Sequence, residues 1–131
     1  MRILITGTSR GIGLELTRLA LEQSMTVLAV ARNPEGSEGL QKLKAQYPQT
    51  LQTVTAELTD DNAVEIIKEA AGHDSLDLII NNAGIFRSKE NLTEMLESFH
   101  VNSCIPFLLT QAYLPNLRKS KPSTNSITHS L

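Results

Sequence analysis

An apolar strand that runs into a glycine-spaced turn and straight out into a helix leaves a chain few folds to choose from. Residues 3–6 form a short β-rich run that meets Gly7, with Gly11 and Gly13 close behind. Helical spacing begins at once, and Ile12, Leu16, Leu19 and Ala20 can share one face. The turn reads Thr6-Gly7-Thr8-Ser9-Arg10-Gly11-Ile12-Gly13. Each glycine has a physical use there. Gly7 permits the tight turn, Gly11 lets backbone approach a pyrophosphate, and Gly13 lets the helix pack on the strand. The N–H groups of Ser9 to Gly13 then face an anion. The spacing is neither G-x-G-x-x-G nor a P-loop, which needs Gly-Lys-Ser/Thr. Alone, such a turn is also found as a purely structural one.

The rest of the chain supplies the context. Residues 25–31 are almost wholly apolar, as in a parallel strand covered on both faces. Asn33-Pro34-Glu35-Gly36 reads as a turn, and Leu40, Leu43 and Tyr47 mark a helix that stops at Pro48. A third strand spans 51–55. Thr59 or Asp60 is placed to cap a helix carrying Val64, Ile67 and Ala71, which Gly72 ends. A fourth strand over 76–80 closes on Asn81-Asn82-Ala83-Gly84. Helical stretches follow over 92–96 and 98–117, with Pro106 in the first turns of the second or kinking it. Residues 118–131 read as an irregular tail or the start of a fifth strand, hinted at over 126–128. Strands and helices alternate with short connections, so the fold class is α/β. The sheet is expected to be parallel, with right-handed crossovers and helices on both faces, in one domain over 1–131. Ligands of such sheets bind beyond the carboxyl ends of the strands, where the glycine turn falls.

Composition removes several alternatives. Twelve Lys and Arg against fourteen Asp and Glu give a net charge of −2, with no block of one sign. That argues against nucleic acid or an anionic membrane as the main partner. The longest apolar run, Val27 to Ala31, is far short of a membrane span. The first residues turn polar too soon for a signal peptide, and one cysteine excludes an internal disulfide; both fit the cytoplasm. Three scattered histidines have no metal-ligand spacing, and no metal is expected.

Three motifs in order carry a family resemblance. Thr-Gly-x-x-x-Gly-Ile-Gly resembles the cofactor loop of the short-chain dehydrogenase/reductase family, and Asn81-Asn82-Ala83-Gly84 matches its second motif. Phe99-His100-Val101-Asn102-Ser103, with Pro106-Phe107-Leu108-Leu109-Thr110-Gln111-Ala112 after it, resembles the helix that carries the family's structural and catalytic Asn. Among members, the chain is similar to the sniffer-like carbonyl reductase and C-factor branch. The resemblance implies a Rossmann-type, doubly wound sheet in order 3-2-1-4, and hydride transfer between a nicotinamide cofactor and a small carbonyl or secondary alcohol. It also implies that Asn102 holds a water in a proton relay, and that backbone at Asn81, Ala83 and Gly84 lines the cofactor ribose. The family usually has Asp after the third strand, meeting the adenine amino group; here Glu57 and Leu58 stand there. Helix 98–117 resembles the one such enzymes use to form homo-oligomers.

The second strand chooses between cofactors. NAD-binding strands of this type end in an acidic residue that holds the ribose diol. Here the end is Val30-Ala31-Arg32-Asn33, with Arg32 nineteen residues after Gly13 and Arg10 inside the glycine loop. Two guanidinium groups suit a 2′-phosphate, which rewards bidentate donors. NADP(H) is the expected cofactor.

The family's chemistry rests on a Tyr with a Lys four residues later, and on a Ser from the fifth strand. Tyr47 is followed at that spacing by Leu51 and Tyr113 by Leu117. Ser130, in a segment resembling the fifth strand, is the candidate substrate-orienting serine. The chain thus reads as truncated before Tyr-x-x-x-Lys, able to bind a cofactor and hardly able to turn over. Two other readings stay open: a nucleotide-binding sensor or signalling protein without turnover, and an interaction module. The second follows if the fourth strand is an open edge that a partner chain completes.

Overall fold

The computed structural model describes residues 1–82, Leu109 and 125–128. Five parallel strands make one sheet in the order β3-β2-β1-β4-β5. They are β1 (Arg2–Thr6), β2 (Thr26–Ala31), β3 (Leu51–Thr55), β4 (Leu78–Asn81) and β5 (Asn125–Thr128). Between the first four lie α1 (Gly11–Glu22), a 3₁₀ turn (Pro34–Gly36), α2 (Glu38–Gln46) and α3 (Ala63–Ala71).

Side chains alternate across the sheet and build two cores. Ile3, Ile5, Val27, Ala29 and Ala31 pack with Ala20 and Leu21 of α1 and Leu40 and Leu43 of α2. Leu4, Leu28, Val30, Val54 and Ile79 point the other way, onto Ala63, Ile67 and Ala71 of α3 and onto Leu109, which is helical. The register makes this division strict, because Leu4 is paired with both Leu28 and Ile79, and Ile5 with both Ala29 and Ile80. Both faces of β2 are therefore covered, which is why its sequence is apolar without alternation. The sheet is doubly wound, and the winding reverses between β1 and β4.

Several local expectations change. The buried face of α1 is Gly13, Thr17, Ala20 and Leu21, while Ile12 and Leu19 are exposed. Gly13 packs against the Gly7 backbone, and Leu14, Leu16, Ala20 and Leu21 supply the apolar contacts of the helix. Thr17 is buried at no cost in unsatisfied groups, since its hydroxyl donates to the Gly13 carbonyl at 2.8 Å. Helix α3 starts at the N-cap Asn62, whose side chain makes no cap hydrogen bond. Thr59 and Asp60 lie before it in a turn where the Asp60 N–H donates to the Glu57 carbonyl at 2.9 Å. Strand β4 begins two residues later than the apolar run, because Asp77 is engaged with Arg2 through both backbone and carboxylate. Leu76 is fully buried all the same.

The largest correction concerns the edge of the sheet. β4 is not open: β5 lies beside it, pairing Leu78 with Asn125 and Asn81 with Thr128. The backbone groups that would have recruited a partner chain are used within this one, and the interaction-module reading loses its physical basis. Helix 98–117 lies outside the described residues apart from Leu109.

Candidate functional site

The carboxyl ends of β1, β2, β3 and β4 converge on one rim, and the candidate residues gather there. Gly7 leaves β1 with φ +69° and Gly11 enters α1 with φ +61°, backbone that side chains rarely adopt. Gly13 is held by contact. A Cβ there would stand 1.9 Å from the Gly7 carbonyl oxygen and 2.6 Å from Asn82 Nδ2. A Cβ at Gly11 would instead meet nothing within 4 Å. The loop is thus tight where it touches the protein and open where a ligand would approach.

Three side chains pin this loop. The buried Thr8 donates from its hydroxyl and its N–H to the Val30 carbonyl, at 3.0 and 3.3 Å. Asn82 donates from Nδ2 to the Gly7 carbonyl at 3.1 Å, bridging from the end of β4 across the winding reversal. Ser37 caps α2 by accepting from the Leu40 N–H, and its hydroxyl donates to the Ser9 carbonyl at 2.6 Å. None of the three stood among the candidates from sequence. Ser37 carried a signal, as a hydroxyl residue next to the helix start, but its partner Ser9 is 28 residues away.

The N-terminus of α1 faces the opening. Its N-cap Arg10 makes no side-chain cap and its first turn holds no acidic residue. The orphan N–H groups and the positive end of the helix dipole remain available to an anion. Ile12, in this first turn, is exposed.

Beside it lies an open cleft of about 490 Å³ lined by Ser9, Arg10, Arg32, Asn33, Gly36, Ser37 and Glu57. Arg10 and Arg32 are therefore brought to one place, as their spacing predicts. Asn33 shapes the wall by accepting the Gly36 N–H at 3.2 Å. Glu57 meets Arg32 at 3.9 Å, with Oε2 facing Nε. Leu58 is buried in the core, so only its backbone is left for the rim. Asn81 is buried as the last residue of β4. Ala83, Gly84, Asn102 and Ser130 lie outside the described residues. Among the described residues, no group of three or more His, Cys, Asp or Glu is placed to hold a metal ion. Nor is any described helix long and apolar enough to cross a membrane.

The family model described as short chain dehydrogenase matches residues 1–127. The chain belongs to this family. It is 33% identical over 129 residues to the short-chain dehydrogenase anuI of Penicillium roqueforti, covering 91% of this chain and 50% of that one. Among solved structures, the NADPH-bound carbonyl reductase from chicken fatty liver superposes with a TM-score of 0.82 at 37% identity, covering 90% of this chain and 52% of its own. The carbonyl reductase of Pseudomonas aeruginosa PAO1 in complex with NADP gives the same TM-score at 36% identity, over 88% of this chain and 55% of its own. This short-chain dehydrogenase chain spans about half the length of these relatives.

Proposed function

We propose that this chain is the NADP(H)-binding half of an oxidoreductase that moves hydride between the nicotinamide and a carbonyl or secondary alcohol. One observation carries the reading. β2 ends in Ala31-Arg32 without a carboxylate, and Arg32 lines the same cleft as Arg10 and Ser9. A carboxylate at that strand end would accept from an unmodified ribose diol and repel a 2′-phosphate. Guanidinium groups reverse both preferences, since a phosphate oxygen pair matches their fork of donors. Relatives solved with NADPH or NADP support the same choice.

The residues present fit the cofactor. Backbone of Gly7 and of Ser9 to Gly13 would hold the diphosphate, since the α1 terminus is uncapped and the space over Gly11 is clear. Arg10 and Arg32 would hold the 2′-phosphate. By family resemblance, backbone near Leu58, Asn81, Ala83 and Gly84 would line the adenosine and the cofactor ribose. When bound, NADP(H) supplies the hydride donor or acceptor. The chain's own part is to bind and orient it, with Thr8, Ser37 and Asn82 holding the loop in shape.

By family resemblance, Asn102 would hold a relay water and Ser130 would orient the substrate. Helix 98–117 would bring two copies together. The single cysteine in 131 residues suits a cytoplasmic setting.

Calorimetry with NADPH and NADH tests the reading. NADPH should bind more tightly, and Arg32→Asp should reverse the order. Equal affinity for the two nucleotides, or no binding of either, would overturn it.

A further inference from the structure

We propose that Glu57 limits how strongly this chain favours a 2′-phosphate, acting as a counter-charge to Arg32. The inference rests on the cofactor reading above and concerns a residue whose type departs from the Asp usual at this place. Ala31 is the Cα partner of Thr55 in the β2–β3 ladder, so the segments leaving these two strands emerge side by side. Arg32 and Glu57 both line the cleft, with Nε and Oε2 3.9 Å apart. The other carboxylate oxygen, Oε1, accepts the Thr59 N–H at 3.4 Å. Glu57 is thus steadied by its own turn while it faces the arginine.

Charge decides what this does to a ligand. A 2′-phosphate carries close to two negative charges and must come within hydrogen-bond reach of Arg32. It then stands within a few ångström of the Glu57 carboxylate, competes with it for the guanidinium and is repelled by it. A ribose diol carries no charge and meets no such opposition. The two side chains are 70% and 39% exposed, so water weakens the interaction without abolishing it. The effect is a moderate one. Removing the carboxylate should tighten binding of 2′-phosphorylated nucleotides about two- to fivefold, the range of exposed ion pairs.

Isothermal titration of the 131-residue chain and its Glu57→Gln variant with NADPH, NADH and adenosine 2′,5′-bisphosphate tests this directly. Thermal melts of the two proteins should coincide, since the site is at the surface. The expected result is tighter NADPH and bisphosphate binding to the variant, unchanged NADH binding, and a smaller difference at high salt. If Glu57→Gln weakens NADPH and NADH alike, Glu57 serves adenine and the proposal is wrong. It is equally wrong if the variant binds all three as the parent does while the parent still prefers NADPH, and the cofactor reading then survives it. A folded parent that binds none of the three nucleotides removes both.

Discussion

Replacing Gly13 with Ala is the most direct challenge to the account of the glycine turn. The added Cβ would sit 1.9 Å from the Gly7 carbonyl oxygen and 2.8 Å from its carbon, and 2.6 Å from Asn82 Nδ2. The first two are backbone atoms of a loop that Thr8, Ser37 and Asn82 hold from three sides. They cannot move aside without breaking those bonds. Overpacking of this kind costs about 3 kcal/mol, the upper end of its usual range. Alanine returns up to about 1 kcal/mol through its helix preference. The net loss is therefore about 2 kcal/mol, which for a chain of this size lowers the melting temperature by about 7 °C. Gly39→Ala is the control. There the new Cβ would come 2.4 Å from Leu14 Cδ2, the far end of a side chain that can rotate, so the change should cost less than about 1 kcal/mol. Thermal and urea unfolding followed by circular dichroism measure both. A Gly13→Ala variant that melts with the parent, or a Gly39→Ala variant that falls as far, would refute this role for Gly13.

Ser37→Ala should lower stability by about 1–2 kcal/mol in urea titrations, because it removes both the α2 cap and the tie to Ser9. It should also weaken NADPH binding; a variant unchanged in both would show that the tie does not shape the loop. Arg18 stands between Glu15 and Glu22 on the outer face of α1, and its hydrogen bond to Glu15 holds that carboxyl below the usual glutamate range. A depressed native value stabilises the fold at pH above the unfolded value, and that contribution disappears as pH falls through the native one. Glu15→Gln should accordingly show a smaller loss of stability between pH 7 and pH 3 than the parent, and superimposable acid limbs in urea titrations would refute the assignment.

The rim of the sheet was readable in the sequence because parallel strands bring their carboxyl ends to one side. With parallel strands over 3–6, 25–31 and 51–55, the residues following each have to be neighbours. That is how Arg10 and Arg32 could be paired from spacing alone. The glycines were readable for a related reason, since each serves a local need: a positive φ at Gly7 and Gly11, and a missing side chain at Gly13. What Glu57 faces was not readable. Its partner depends on the pairing of Ala31 with Thr55, and a shift of one residue in that register would turn it elsewhere.

Taken by itself, the sequence determined the α/β alternation, the order of the first four strands and the family. The alternation follows from periodicity, and the strand order and family follow from motifs a few residues long. Tertiary structure decided the rest. Helix α1 turns Ile12 and Leu19 outward because Gly13 sits against the Gly7 backbone while Leu14, Leu16, Ala20 and Leu21 meet the core. The edge of β4 is closed by Asn125–Thr128, whose four residues carry too little pattern to name a neighbour. Thr8, Ser37 and Asn82 became part of the site only when their partners, distant in the chain, were in place. Local forces select elements; which face, edge or hydrogen bond each element uses is settled by the neighbours it packs against.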